Sequence, residues 1–158
     1  MVILGIDPGS VRVGFGVIEK TGGRLVYVQS GLLKVVSGSP ATRLVTLETE
    51  FTSLLRKTRP EIVGLERLFF MKNQKTAFSV AEARGILLGV LAKRAIPWVE
   101  FTPPQVKLAT TGDGRASKSA VAKMVRHFLS LSAYAVVDDV TDALAIAIAA
   151  SQGKQNGG

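Results

Sequence analysis

The chain has 158 residues, 47% of them hydrophobic, which is enough for one domain around a packed core. It has no cysteine, which excludes disulfides and thiolate metal sites. The net charge of +8 favours a polyanionic partner, and a basic surface that serves only solubility is the alternative. Without a signal-peptide pattern or an apolar run near the roughly 20 residues of a membrane span, we expect a cytoplasmic protein that is not inserted in a membrane.

The first part of the chain has the pattern of β-hairpins. We predict strands over residues 2–7 and 11–19, followed by an extended segment over 24–36 that bends at Gly31. The turn before this segment is Thr21-Gly22-Gly23, because paired glycines accept the backbone angles of a tight hairpin.

The rest of the chain alternates helices with short apolar strands. The predicted elements are a helix at about 41–57, a strand at 62–66, a helix at about 76–95, a strand at 98–101, and helices at about 103–109, 117–129 and 139–151. Hairpins followed by β–α alternation imply an α/β fold, with a mixed five-stranded sheet and helices on both faces. We expect a single domain over residues 1–151 and a mobile tail over 152–158.

Four acidic residues lie at the ends of apolar elements. Asp7 and Glu66 each end a very apolar strand, and two such strands can place both carboxylates at one edge of a sheet. Asp139 and Asp142 are three residues apart and share a face of the last predicted helix. Because acids on apolar elements are costly without partners, and oxygen ligands suit hard cations, the four together predict a Mg²⁺ or Mn²⁺ site.

Each of these acids also has a purely structural explanation. Asp7 could begin the turn that follows it, and Glu66 could pair with a nearby arginine. Asp139 could cap the last helix, with Asp142 favourable in its first turn. Asp138 is an alternative ligand, one residue off the face that Asp139 and Asp142 share.

Such a site would hydrolyse phosphodiesters with two metal ions. Ions about 4 Å apart would bridge the scissile phosphate, one generating hydroxide and the other stabilising the leaving 3′ oxygen. Carboxylates are needed because neutral ligands could not hold two dications close together.

Five segments match, in order, the motifs of one nuclease family. They are GIDPGS (5–10), ERLFFMKN (66–73), TPPQVK (102–107), TGDGRASK (111–118) and DVTDALAIA (139–147). The first motif alone is weak, because sugar kinases and actin-like ATPases open similarly, but all five in a chain of this size are specific. Over nearly its full length the chain resembles the RuvC Holliday-junction resolvases of the ribonuclease-H-like superfamily.

The resemblance implies Asp7, Glu66, Asp139 and Asp142 as the ligands of two Mg²⁺ ions per active site, with Mn²⁺ able to substitute. It implies a Mg-dependent endodeoxyribonuclease that, as a symmetric homodimer, makes paired nicks across a four-way DNA junction. It also implies a partnership with a branch-migration motor in recombination and repair. The doubled acid Asp138-Asp139 is a departure, and the spacing to Asp142 favours Asp139.

The loop after Glu66 carries Phe69 and Phe70 next to Lys72 and Asn73. Two adjacent aromatic residues cannot both point inward from an extended loop, so at least one could stack on unpaired bases. The alternative is that both cap the core. The resemblance favours stacking, with Phe69 as the better candidate and its polar neighbours as DNA contacts.

Further basic residues lie around the glycine-containing loop at 110–115. The resemblance implies Lys107 and Lys118 as phosphate contacts or aids to catalysis, whereas the pattern alone is typical of solvated lysines. Lys118 near the start of a helix opposes the helix dipole, which hints at another use. Arg115 is a further candidate for DNA contact.

Ala81, Gly85 and Gly89 recur every four residues on one predicted helix. Such a stripe permits close helix packing, either against the chain's own sheet or, as a hypothesis, across a dimer axis.

Three rival functions are open. An ATPase or sugar kinase would need a second nucleotide-gripping lobe, which this length hardly supplies. A non-catalytic junction-binding module would not depend on the acids. A different ribonuclease-H-like enzyme is the nearest rival and would prefer another substrate, such as an RNA–DNA hybrid.

Overall fold

A computed structural model of the chain describes residues 1–9, 12–34, 38–67, 74–132 and 138–153, and leaves the side chains of 74–76 and 138–139 undescribed. Within these ranges the elements are β1 (Val2–Pro8), β2 (Val13–Thr21), β3 (Arg24–Leu33), α1 (Pro40–Thr58), β4 (Ile62–Glu66), α2 (Gln74–Lys93), β5 (Trp98–Phe101), α3 (Pro103–Thr111), α4 (Lys118–Leu129) and α5 (Asp138–Ser151). The predicted order of strands and helices is confirmed, with α5 beginning one residue earlier than expected.

The strands form one mixed sheet in the order β3-β2-β1-β4-β5. The β1–β2 and β2–β3 pairs are antiparallel, whereas β1–β4 and β4–β5 are parallel. The β2–β3 turn has Gly22 at φ 56° and Gly23 at φ 83°. Two successive residues with positive φ are typical of a type I′ turn, which explains the glycine pair. The predicted mixed five-stranded sheet is confirmed.

The expected bend at Gly31 is wrong. Strand β3 runs through this residue. The pairing of β2 with β3 is irregular at a different place: Val17 pairs with Gln29 and Ile18 with Tyr27, so that Val28 is left out of the register. Gly31 instead lies opposite Phe15, where a Cβ would be 3.2 Å from two atoms of the phenyl ring. The glycine therefore makes room for an aromatic ring rather than bending the strand.

Helices cover both faces of the sheet, as expected. One hydrophobic core lies beneath α1 and α2 and includes Leu4, Phe51, Leu65 and Leu87. The other lies beneath α3, α4 and α5 and is built mainly from the apolar face of α5. None of the helices in the described ranges is long and apolar enough to cross a membrane.

Candidate active site

The carboxyl ends of β1 and β4 bring Asp7 and Glu66 together. The two strands are parallel neighbours, and Ile6 pairs with Leu65 directly before Glu66. Both acids are half-buried at this edge, where the carboxyl groups share a hydrogen bond. Asp7 itself lies within β1, opposite Gly14, so it does not begin the turn.

Helix α5 adds Asp142 to this pair. The pKa of Glu66 is raised from 4.5 to about 7, chiefly by burial, then by the negative charges of Asp7 and Asp142 and by the hydrogen bond that protonated Glu66 donates to Asp7. Lys118 acts in the opposite direction. Three carboxylates from three elements therefore lie within electrostatic reach, with more negative charge than the nearby lysine compensates.

Lys118 reaches the cluster from the start of α4. The Ser117 side chain accepts a hydrogen bond from the Ala120 N–H and caps this helix, which settles the cap between the two candidates that the sequence offers, Ala116 and Ser117. The Lys118 Nζ lies 3.3 Å from Asp142 Oδ2, and the side chains are 86% and 40% exposed. Because an ion pair this exposed is weak, the contact can open at little cost.

Helix α3 places Lys107 at the same cleft. Its first turn is a capping box, in which the Thr102 hydroxyl accepts from the Gln105 N–H and the Gln105 side chain accepts from the Thr102 N–H. We did not predict this cap, although Thr and Gln three residues apart before an apolar run are its signature. It fixes the direction in which α3 leaves β5.

These elements enclose a cleft of about 300 Å³. It is lined by Asp7, Glu66, Pro103, Val106, Lys107, Lys118, Val121, Asp142, Ala145 and Ile146. Asp7 and Glu66 lie at the ends of their strands, Asp142 on α5, and the two lysines on α3 and α4.

The donor set of the cleft fits a hard divalent cation in its chemistry. Its candidate ligands are all carboxylate oxygens, and a cation would relieve the repulsion that raises the pKa of Glu66. In the described part of the chain, however, no three acidic or imidazole side chains are close enough to hold one ion together. The side chain of Asp139, the fourth acid expected from the sequence, lies outside the described residues.

The neighbouring arginines do not pair with Glu66. Arg67 Nε lies 3.7 Å from Glu100 Oε2, and Arg84 forms a second, shorter ion pair with the same carboxylate. The structural explanation for Glu66 as an arginine partner is therefore wrong. Glu100 instead forms ion pairs with both Arg84 of α2 and Arg67, the residue that follows Glu66. We did not predict this role.

Other predicted site residues cannot be placed at the cleft. Phe69, Phe70, Lys72 and Asn73 lie outside the described residues. Arg115 is exposed and is not among the residues that line the cleft. Its backbone N–H donates a hydrogen bond to Asp113 Oδ1 at 2.8 Å.

The fold and the cleft define a class of protein. A mixed five-stranded sheet, covered on both faces and carrying acids at the ends of its central parallel strands, is the ribonuclease-H-like fold. The yeast mitochondrial Holliday junction resolvase shares this fold, with a TM-score of 0.66 at 14% identity.

The sequence model described as crossover junction endodeoxyribonuclease RuvC matches residues 3–150. The RuvC of Pelotomaculum thermopropionicum is 42% identical over 94% of this chain and 91% of its own length. That of Thermotoga petrophila is 44% identical over 93% and 90%. The Thermus thermophilus RuvC in complex with a Holliday junction substrate has a TM-score of 0.88 and 33% identity over 96% of this chain and 93% of that one.

The chain belongs to the crossover junction endodeoxyribonuclease RuvC family. Membership makes it a metal-dependent nuclease that resolves Holliday junctions in DNA recombination and repair.

Proposed function

We propose that Asp7, Glu66, Asp139 and Asp142 hold two Mg²⁺ ions in this cleft, with Mn²⁺ able to substitute. The observation that carries the proposal is the convergence of carboxylates from β1, β4 and α5, whose mutual repulsion helps to raise the pKa of Glu66 to about 7. When bound, the ions supply the Lewis acidity that activates water and stabilises the leaving oxygen.

The chain's own residues bind and orient the DNA phosphate. Lys118 neutralises Asp142 in the metal-free protein, and we expect its ammonium group to turn to the phosphate once metal takes over that carboxylate. Lys107 lies across the cleft on α3 and supplies a second positive charge. Both lysines thus compensate the phosphate that the acids would otherwise repel.

The choice of Asp139 over Asp138 as the fourth ligand rests on the family resemblance, in which the spacing to Asp142 favours Asp139. Helical register alone does not separate the two acids. Asp139 stands four residues before Ala143 and seven before Ile146, whereas Asp138 stands four before Asp142 and seven before Ala145, and residues of both sets line the cleft.

We propose that α2 pairs with a second copy of the chain, as paired nicks require. Ala81 and Gly85 are exposed, and a Cβ at Gly85 or Gly89 would meet nothing within 4 Å. The stripe therefore does not pack against the described part of the protomer's own sheet, which supports packing against a second copy. Phe78 adds a side chain that is 71% exposed.

Sedimentation of Gly85→Leu tests this dimer. We expect it to sediment as a monomer at concentrations where the unaltered protein is dimeric. Ala41→Leu is the control, because Ala41 is exposed on α1, and it should stay dimeric. A dimeric Gly85→Leu would refute the proposed interface.

The remaining contacts are proposed from the family resemblance. Phe69 stacks on unpaired bases at the junction, with Phe70, Lys72, Asn73 and Arg115 as further DNA contacts. The dimer works with a branch-migration motor in the cytoplasm.

The substrate is tested by incubating equal amounts of a synthetic four-way junction, a plain duplex and an RNA–DNA hybrid with the protein and Mg²⁺. We expect paired nicks in the junction, little cutting of the duplex, and no product when EDTA replaces Mg²⁺. Preferential nicking of the hybrid would indicate another ribonuclease-H-like activity. ATP hydrolysis without nicking would indicate the kinase or ATPase alternative.

A further inference from the structure

Three glycines form a row across the middle of the sheet. Gly5 on β1 pairs with Gly16 on β2 and with Gly64 on β4, so the three lie side by side on adjacent strands. Cross-strand partners point to the same face of a sheet. That face is the one that α5 covers.

Helix α5 lies so close to this row that a side chain would not fit. A Cβ on Gly5 would be 2.0 Å from the Ala143 carbonyl oxygen, and one on Gly64 would be 2.9 Å from Ile146 Cγ2. A Cβ on Gly16 would be 2.8 Å from Leu144 Cγ. Ordinary van der Waals contact begins at 3.4 Å, so each glycine permits a closer approach of the helix than alanine would.

The site acids lie one step of the pleat beyond the glycines. Gly5 and Asp7, like Gly64 and Glu66, are two residues apart on one strand, so each pair shares a face and is separated by about 6.6 Å. On the helix, Asp142 directly precedes Ala143, whose carbonyl lies against Gly5. The contact between α5 and the glycine row is therefore close in sequence to Asp142 on the helix and to Asp7 and Glu66 on the strands.

We infer that Gly5, Gly16 and Gly64 are positioning residues that set the distance between α5 and the sheet, and with it the distance at which Asp142 faces Asp7 and Glu66. This inference rests on the proposed metal site. A side chain in the row lifts the first turns of α5, and the acids of the helix move away from those of the strands. Because metal–oxygen distances tolerate only a few tenths of an ångström, such a shift weakens metal binding more than it weakens the fold.

Alanine substitutions test the inference at positions with different neighbours. At Gly64 the nearest atom is Ile146 Cγ2 at 2.9 Å and the nearest backbone atom is at 3.1 Å, so Gly64→Ala needs only a small displacement of α5 and should fold. At Gly16 the Leu144 side chain is at 2.7 Å and its backbone nitrogen at 2.9 Å, so Gly16→Ala needs a larger one. At Gly5 the nearest atom is backbone, so this variant is expected to be the least stable. Gly31→Ala is the matched control, because its Cβ would crowd only the Phe15 ring, at 3.2 Å, away from α5.

The experiment measures three quantities for each folded variant. They are Mn²⁺ affinity by calorimetry, junction affinity in EDTA and the thermal midpoint of the metal-free protein. We expect Gly64→Ala to bind Mn²⁺ about 10-fold more weakly, and Gly16→Ala a few-fold more weakly, with junction affinity in EDTA unchanged. Gly31→Ala should lower the midpoint and leave Mn²⁺ affinity as it was.

Mn²⁺ binding by Gly64→Ala and Gly16→Ala at the unaltered affinity would overturn the inference. An equal loss of Mn²⁺ affinity in Gly31→Ala would also overturn it, because general loosening would then explain the effect. Failure of the proposed metal site gives a different result, in which the unaltered protein itself binds no Mn²⁺.

Discussion

Replacing Glu66 with glutamine is expected to stabilise the metal-free protein above neutral pH. The pKa of Glu66 is raised to about 7 in the folded chain, chiefly by burial and then by the charges of Asp7 and Asp142. Ionised Glu66 therefore opposes folding, whereas glutamine keeps a similar shape without the charge. The cluster of acids that we propose as a metal site is thus a source of instability in the metal-free protein.

The size of the effect follows from the difference between the folded and unfolded pKa. Between pH 4.5 and about 7 the folded state holds the Glu66 proton more tightly than the unfolded state does, so stability falls as pH rises through this window. At about 1.4 kcal/mol for each pKa unit the loss has a ceiling near 3 kcal/mol, and solvent screening of this half-buried group reduces it to about 1–2 kcal/mol. For a domain of this size, that corresponds to about 2–8 °C in Tm.

Urea unfolding in EDTA at pH 5 and pH 8 measures this difference. Glu66→Gln should exceed the unaltered protein in unfolding free energy at pH 8, and the advantage should shrink at pH 5. Glu19→Gln is the matched control, because Glu19 is exposed on β2, and it should change neither value. The reasoning is refuted if Glu66→Gln is no more stable at pH 8, or if its advantage is equal at both pH values.

Three further substitutions have expected outcomes. Lys118→Ala should slow junction cleavage at saturating DNA while changing Tm little, because its contact with Asp142 is exposed; single-turnover cleavage and a thermal melt measure the two. Thr102→Ala removes the cap of α3 and should lower the unfolding free energy by about 1 kcal/mol in urea, whereas Thr102→Ser should keep it. Glu100→Gln leaves the mostly buried Arg84 without its ion pair and should cost about 1–3 kcal/mol, whereas Arg67→Ala, which removes the longer contact, should cost less in the same assay.

The meeting of Asp7 and Glu66 could be predicted from the sequence, because two apolar strands that each end in an acid share an edge if they are neighbours. The contact of Lys118 with Asp142 could not, since it depends on how α4 packs beside α5. The capping box at Thr102 was readable from local spacing alone and was missed.

The glycines show why register is hard to predict. Gly31 suggested a bend because glycine weakens a strand, but the Phe15 ring opposite it decides its role. Likewise, Gly5, Gly16 and Gly64 are unremarkable one at a time, and only the strand pairing reveals that they form a row under α5. Whether the small residues of α2 face solvent or the core also depends on tertiary packing. Ala81 is exposed and Ala83 is buried, although both are alanines of the same helix.

The direct test of the central claim is Mg²⁺-dependent cleavage of a four-way junction by single-residue variants of the acids, with junction binding measured in EDTA. We predict that Asp7→Asn, Glu66→Gln, Asp139→Asn and Asp142→Asn each lose cleavage and bind the junction as well as, or more tightly than, the unaltered protein, because repulsion of the phosphate falls. Asp138→Asn should cut at the unaltered rate. Retained cleavage in any of the four variants, or its loss in Asp138→Asn, would contradict the assignment of these carboxylates.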